Sequence, residues 1–243
     1  MVKFYNGGSK RRGFMKLTLK QSWLTYVIFA YGLLLTGVLI EKFIVGFLLD
    51  PTDDWWRFWY LFTYQTNIMV AAWSVTYGLG KVLNWENVLN WLTKKIVVII
   101  ITVNTLIVFL IVFFVLDPVF QGLWKPLSSL SELLTHNLST VLMIMVFLMI
   151  PGNGVLKNKT AITVLIYPFV YFIFHTIIGL SFTFRDGEPA FNYGFVNPNN
   201  YSNILIFVMI IVLLVGIFGA IGFGLIQLKN KIHPVKTTKA IRR

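Results

Sequence analysis

The sequence predicts an all-α, polytopic integral membrane protein with about six transmembrane helices and both termini in the cytoplasm. Of its 243 residues, 57% are hydrophobic and only 12% are charged. A soluble domain of this size needs far more charge to cover its surface. Each apolar run long enough to cross a hydrocarbon layer of roughly 30 Å has to be helical, because its backbone groups must find their hydrogen bonds within the segment.

The predicted spans follow one another without an internal repeat or a second domain. They cover residues 21–49, 55–79, 96–116, 129–150, 160–183 and 201–228. A basic tail (1–20) precedes this single transmembrane domain (21–228), and a second basic tail (229–243) follows it, with His233 expected in solvent. The first run is too long for the apolar core of a signal peptide, so we expect it to remain as a span.

The placement of charge predicts the orientation and limits the partners. Nearly all lysines and arginines lie in the two tails and in the second and fourth loops, whereas the other loops carry most acidic residues. By the positive-inside rule both termini are cytoplasmic. The net charge of +12 is thus explained by the orientation of the chain in the membrane and by contact with anionic lipids. We therefore expect no nucleic-acid partner. The absence of cysteine excludes disulfides, thiol catalysis and thiolate metal sites.

Two loops and one helix face carry further structural predictions. The second loop (81–95) has apolar residues at helical spacing and predicts a short amphipathic helix on the inner surface. The fifth loop (184–203) is rich in Pro, Gly and Asn, which predicts a turn-rich cap over the site. Gly216, Ala220 and Gly224 form a small-residue seam for close helix packing, within the chain or between protomers of a homo-oligomer.

Two histidines lie deep inside apolar stretches, His136 on the fourth span and His175 on the fifth. Ionisable groups in a bilayer are costly and therefore indicate a functional site. The second span adds Thr63, Thr66 and Asn67. From the helical rise of about 1.5 Å per residue, these groups lie at similar depth in the outer half of the membrane. One buried polar site shared by three spans is the simplest prediction.

On the fourth span, Ser129 and Glu132 have the spacing of a capping box, which predicts where the helix begins. Glu132 also precedes His136 by four residues, so both side chains face the same side of a helix. Glu132 either orients the imidazole, as the acid of a catalytic triad does, or only caps the helix.

On the second span, Tyr60, Thr63 and Asn67 recur at helical spacing and form one stripe, with Thr66 beside it. A threonine in a membrane helix usually bonds back to a carbonyl one turn earlier. It becomes a nucleophile only beside a base, and the imidazole of His136 has the appropriate chemistry.

The remaining polar groups leave several roles open. His175 either supports other site groups, donates to an oxyanion or ties two helices together. Pro168 should kink the fifth span and free a carbonyl close to Tyr167. Asn104 most simply makes an interhelical hydrogen bond. A metal site is only weakly indicated, since the chain has no His-x-x-His or His-Glu-x-x-His spacing.

Three segments carry a resemblance to a known family. They are Trp59 to Thr63, Leu134 to His136 ahead of Ser139 to Leu142, and Tyr171 to Gly179. In this order they resemble the six-span family of androgen-induced proteins, which are membrane hydrolases of fatty acid esters of hydroxy fatty acids, and related bacterial six-span proteins. The chain departs from the family where a proline usually follows the histidine (Met143 and Ile144 stand there). It also lacks the Tyr-Pro segment after the fifth span.

The resemblance implies a hydrolase of lipid acyl esters in a bacterial cell membrane, with a lipophilic ester as substrate and no cofactor. It implies Thr63 as nucleophile, with Thr66 as the second candidate, and His136 as base. The expected substrate-binding residues are Tyr60, Thr66, Asn67, Asn104, Tyr167 and His175. Two alternatives stay open. One is a lipid or small-molecule transporter or binding protein that uses the same pocket, although no inverted repeat supports transport. The other is a purely structural polar core.

Overall fold

The computed structural model describes residues 8–49, 54–114, 129–152, 156–185 and 187–233 as a bundle of helices. Five helical segments are long and apolar enough to cross a membrane, as expected of an integral membrane protein. They are Trp23–Gly46, Lys95–Phe114, Leu130–Met149, Thr160–Ser181 and Ile204–Ile232. Apart from one isolated bridge between Thr183 and Pro189, the described residues form no β-structure.

Nine α-helices occur in the described part of the chain. They are α1 (Gly8–Phe43), α2 (Arg57–Tyr60), α3 (Phe62–Val82), α4 (Glu86–Leu92), α5 (Lys95–Ile111), α6 (Leu130–Glu132), α7 (Ser139–Met149), α8 (Thr160–Ser181) and α9 (Ile204–Ile232). A π-helical turn, Ile44–Leu48, follows α1, and another, Leu133–Leu138, joins α6 to α7. Five predicted spans thus match apolar helices, and α1 continues back through the basic segment to Gly8.

The second predicted span differs from its prediction. Leu61 is extended, with φ −76° and ψ 124°, and separates the short α2 from α3. With 21 residues, α3 is about 31 Å long at 1.5 Å per residue. It is not among the five apolar segments, because polar side chains such as Thr66, Asn67 and Ser74 interrupt its sequence, and these three are buried. Contacts with α1, α5 and α7 make α3 an internal helix of the bundle.

Small residues allow two pairs of helices to pack closely. A Cβ atom on Gly32 of α1 would lie 2.7 Å from the Cβ of Ser74 on α3. Likewise, a Cβ on Gly222 of α9 would lie 2.8 Å from Val164 of α8. Among the described residues, nothing packs against the predicted seam on α9 at Gly216 and Gly224, which have open space where a Cβ would be.

The second loop forms the short helix that its periodicity predicts. Trp91 of α4 and Trp85, which directly precedes the helix, are exposed, whereas Leu92 of α4 is buried. The indole Nε1 of Trp73 donates to the Leu92 carbonyl at 3.0 Å, which attaches α4 to α3.

Basic side chains bind the C-terminal end of α7. The buried Lys229 of α9 donates from Nζ to the carbonyls of Ile150, at 2.6 Å, and Phe147. His233 was predicted to be in solvent, but its Nε2 lies 2.8 Å from the Leu148 carbonyl. The last turn of a helix leaves carbonyls without intrahelical partners, which explains why polar groups collect at this end.

Candidate functional site

A break in the helix places Thr63 at the beginning of α3. The hydroxyl of Tyr171, on α8, donates to the Tyr60 carbonyl at 2.9 Å and accepts from the Phe62 N–H at 3.1 Å. These bonds replace the helical ones that the extended Leu61 interrupts. The prediction that Tyr60 and Thr63 share a helical stripe with Asn67 is therefore wrong for Tyr60, which precedes the break.

A cavity of about 80 Å³ lies beside Thr63, between α3, α5, α8, α9 and the segment after α8. We call that segment, residues 182–203, the outer segment. The cavity walls are almost entirely apolar, with side chains such as Val108, Pro168 and Phe218. Thr63, Tyr171 and Tyr193 are the residues with a hydroxyl group among those that line it.

The hydroxyl of Thr63 lies 3.5 Å from the hydroxyl of Tyr193. Among the residues that the structure describes, no other side chain bonds it. Thr66, the second candidate nucleophile, is fully buried and does not line the cavity, and its hydroxyl has no partner within the described ranges. Of the two threonines, Thr63 is therefore the one whose side chain borders the cavity.

Asn67 connects α3 with the π-helical turn that carries His136. Its Nδ2 donates to the carbonyls of Thr63, at 2.8 Å, and Thr135, at 2.9 Å. Its Oδ1 accepts from the hydroxyl of Ser139 at 2.5 Å. One buried amide thus bridges the backbone of Thr63 to the backbone next to His136.

Helix α1 adds a hydroxyl to the same network. The hydroxyl of Tyr31 lies 2.7 Å from the hydroxyl of Ser139 and donates to the Leu134 carbonyl at 2.7 Å. Ser139 also donates to the Leu134 carbonyl, at 2.9 Å. A π-helical turn changes the pairing of backbone carbonyls, and here side chains from α1 and α3 bond the carbonyls of that turn. No feature of the local sequence pattern indicates a role for Tyr31, which lies in the middle of an apolar span.

At the start of α6 the predicted cap is confirmed, since the Ser129 hydroxyl accepts from the Glu132 N–H at 3.2 Å. Glu132 and His136 are both half-buried. The imidazole of His136 has no hydrogen-bond partner in the described part of the chain, and it does not line the cavity.

His175 is fully buried and enclosed by aromatic rings. Its ring is stacked on Tyr60 at 4.5 Å between centroids and on Tyr193 at 5.7 Å, with Tyr171 and Phe191 also in contact. Neither ring nitrogen finds a partner among the described residues. A hydrogen bond does connect the two helices at His175, but it uses the backbone and not the imidazole: the Tyr60 hydroxyl donates to the His175 carbonyl at 2.7 Å.

Two other predicted site residues lie away from the cavity. Tyr167 donates to Oε1 of Gln65 at 2.5 Å, which joins α8 to α3. Asn104 donates from Nδ2 to the Ile100 carbonyl one turn earlier at 2.9 Å, and its Oδ1 has no partner in the described ranges. The predicted interhelical bond of Asn104 is therefore wrong, because the carbonyl of its own helix lies within reach.

The outer segment brings the tyrosine that sequence reasoning missed. Turns at Gly194–Val196 and Pro198–Asn200 agree with its predicted turn-rich character. Its Pro, Gly and Asn content indicated a cap, but nothing in the local pattern distinguishes Tyr193 from the neighbouring aromatic residues. Burial raises the pKa of Tyr193 above its ordinary value, so this phenol stays protonated at neutral pH.

Comparisons with known proteins found no match for the chain among protein-family models, curated proteins or solved structures. The resemblance to the androgen-induced proteins therefore stays a prediction. Within the described residues, no group of three or more His, Asp and Glu side chains is placed to hold a metal ion.

Proposed function

We propose that this chain is a membrane-embedded hydrolase of lipophilic acyl esters, with Thr63 as the nucleophile. One observation carries the proposal: Thr63 lines a cavity whose other lining residues are almost entirely apolar. Apolar walls favour a lipid-like molecule over a polar metabolite. The neighbouring hydroxyls of Thr63 and Tyr193, 3.5 Å apart, are where the polar group of such a molecule would lie.

The chemistry requires a base that is close to Thr63. In the proposed reaction, the Thr63 oxygen bonds to the carbonyl carbon, His136 takes the hydroxyl proton and then gives it to the leaving alkoxide. Water, activated by the same imidazole, then cleaves the acyl-threonine and releases the acid. The bridge of Asn67 between the carbonyls of Thr63 and Thr135 supports this pairing, since it holds the two segments together.

The membrane arrangement that accompanies this proposal has six crossings, with α3 as the second and both termini in the cytoplasm. The basic residues support it, because they alternate between connections as a six-span chain requires. In this arrangement Thr63 and the outer segment lie toward the outer face. The expected setting is a bacterial cell membrane, and the ester would come from the surrounding lipid.

A second candidate function is binding or transport of a lipophilic molecule without chemistry. It is favoured by the hydrogen bonding of the Thr63 hydroxyl, whose side-chain partner among the described residues is a tyrosine hydroxyl rather than an imidazole. Such a pair recognises a polar group without activating it. The two functions differ in whether an ester is cleaved.

The test is hydrolysis of a fluorogenic long-chain ester of 4-methylumbelliferone by the protein purified in detergent. We expect Thr63→Ala and His136→Ala each to reduce turnover by at least a hundredfold, and Thr63→Ser to retain part of it. Thr176→Ala is the matched control, because the hydroxyl of Thr176 on α8 bonds the Phe172 carbonyl of its own helix. Turnover that is unchanged in Thr63→Ala would contradict the mechanism. Tight binding of the ester by the wild type without cleavage would establish the second candidate instead.

A further inference from the structure

We infer that the hydroxyl of Tyr193, together with that of Thr63, binds the carbonyl oxygen of the lipophilic molecule in the cavity. The inference rests on the proposed function for the class of ligand, but it does not require hydrolysis. It assigns a ligand-binding role to a residue of the outer segment and explains how the cavity would distinguish an acyl compound from a plain hydrocarbon.

The first step concerns the distance between the two hydroxyls. A hydroxyl-to-hydroxyl hydrogen bond is usually about 2.7–2.8 Å long, whereas the oxygens of Thr63 and Tyr193 are 3.5 Å apart. The backbone N–H groups of Thr63 and Phe62 also donate toward the phenol oxygen of Tyr193, so its proton is the part left without a close acceptor. A polar group that faces an apolar space is costly unless it is hydrogen-bonded, so the pair has the capacity to bond a third oxygen.

The second step concerns the protonation of the phenol. The ring of Tyr193 lines the cavity and stacks on the buried His175. Burial keeps the hydroxyl protonated, so it acts as a donor toward an acceptor in the cavity. A carbonyl oxygen accepts two hydrogen bonds in its plane, which matches two neighbouring hydroxyl donors. During ester cleavage Thr63 gives up its proton, so the Tyr193 hydroxyl alone would face the oxygen on which negative charge develops.

The third step concerns how the outer segment is held. Arg57 donates from Nε to the Asn192 side chain at 2.8 Å, next to Tyr193. The guanidinium of Arg185 pairs with Asp54 at 3.2 Å, and the Arg185 N–H donates to the same carboxylate at 3.0 Å. Contacts on either side of Tyr193 thus attach the outer segment to the start of α2. A donor held in this way loses little freedom when it binds.

The experiment compares a long-chain ketone with the hydrocarbon in which a methylene group replaces its carbonyl. A ketone cannot be hydrolysed, so binding is measured without turnover, by displacement of a pyrene-labelled fatty probe. We expect the wild type to prefer the ketone about tenfold, as one net hydrogen bond of about 1.4 kcal/mol predicts. Tyr193→Phe should lower this ratio severalfold, and Tyr193→Phe combined with Thr63→Val should bring it close to one.

The matched control is Tyr201→Phe, which removes a hydroxyl of the same outer segment that donates to the Phe195 carbonyl at 2.7 Å. It should keep the preference for the ketone. Equal preference in the wild type and in Tyr193→Phe would overturn the inference, and so would equal loss in both variants. If Tyr193→Phe does not fold, the infrared carbonyl stretch of the ketone bound to the wild type decides. A hydrogen-bonded carbonyl absorbs at lower frequency than the ketone in hexane, and an unshifted band would overturn the inference.

The outcomes separate this inference from the proposed hydrolase. A ketone preference that depends on Tyr193, without any ester turnover, would contradict hydrolysis and support the carbonyl site. Ester turnover that depends on Thr63, without a ketone preference, would support hydrolysis and contradict the carbonyl site.

Discussion

Asn67 shows how much of this structure depends on single polar side chains in its interior. The amide is 1% exposed, and it bonds two carbonyls and one hydroxyl on separate segments. Replacing it with alanine leaves the carbonyls of Thr63 and Thr135 without this donor. A buried polar group that loses its partner costs about 1–3 kcal/mol. We expect Asn67→Ala to lower the free energy of unfolding by about 1–3 kcal/mol, as measured by denaturation in detergent.

Asn104→Ala is the matched control for this measurement. Asn104 is equally buried, but it bonds only the Ile100 carbonyl of its own helix, and its Oδ1 has no partner among the described residues. Asn104→Ala loses one hydrogen bond but also removes a buried oxygen that has no partner. We therefore expect a smaller loss of stability than in Asn67→Ala. Equal losses in the two variants would contradict the bridging role of Asn67.

At the residue scale, the sequence predicts which polar groups are buried better than it predicts their partners. Thr66, Asn67 and His175 were expected inside the molecule, and they are. Their contacts, however, depend on which helix face meets which neighbour, and one sequence carries little information on that. Tyr31 and Tyr193 were missed for the same reason, since a tyrosine among apolar residues gives no sign of where its hydroxyl lies.

At the scale of the helix pair, the contact between α1 and α3 depends on Gly32. A Cβ atom there would lie 2.7 Å from Ser74 and 2.9 Å from the backbone nitrogen of Val75. Because backbone has to move to make room, we expect Gly32→Ala to cost about 1–3 kcal/mol of stability, as other overpacked substitutions do. Thermal unfolding in detergent measures this cost.

Gly37→Ala, on the same helix, is the control. Gly37 has nothing within 4 Å of where its Cβ would lie, and alanine is a better helix former than glycine by about 0.5–1 kcal/mol. This variant should therefore be as stable as the wild type or slightly more stable. A loss in Gly37→Ala as large as in Gly32→Ala would show that the packing argument is wrong.

The end of α7 provides a second prediction at this scale. Lys229 is 1% exposed, and its ammonium group bonds the carbonyls of Phe147 and Ile150. Lys229→Met keeps the approximate volume but removes the donor, so we expect about 1–3 kcal/mol of lost stability. Lys231→Met is the control, since Lys231 is exposed two residues away. A variant of Lys229 as stable as that of Lys231 would contradict the capping role.

The sequence predicts the ends of those helices that coincide with long apolar runs. The spans at α5, α8 and α9 agree with their predictions to within a few residues, because long apolar runs have one solution in lipid. The break at Leu61 was not predicted, since it depends on the Tyr171 hydroxyl, which is distant in sequence. The π-helical turn at Leu133–Leu138 could not be predicted either, because it too depends on distant side chains: residues of α1 and α3 bond its carbonyls.

At the scale of the whole molecule, α3 determines how the chain is threaded through the membrane. Five helical segments are both long and apolar enough to cross a membrane. Helix α3 is not among them because it is less apolar, yet it is long enough to cross. If α3 crosses, the chain has six spans and both termini lie on the same side. If it does not, every connection after it changes sides. The basic residues favour six crossings, since only then does the basic N-terminal tail share one face with the lysine-rich connections.

The chain contains no cysteine, so single cysteines report topology without a background. We expect a membrane-impermeant maleimide to label Asn199→Cys, on the exposed outer segment, in intact cells. Asn90→Cys on α4 and Lys231→Cys at the end of α9, both also exposed, should react only after the membrane is permeabilised. With five crossings and a cytoplasmic N terminus the pattern reverses, since Asn90 and Lys231 would be labelled in intact cells and Asn199 would be protected. Five crossings with an external N terminus would leave the pattern unchanged, so Ser9→Cys at the start of α1 must also be protected in intact cells if the chain has six crossings. That reversed pattern would also place Thr63 and the outer segment toward the cytoplasm, so an ester substrate would have to arrive from the inner leaflet.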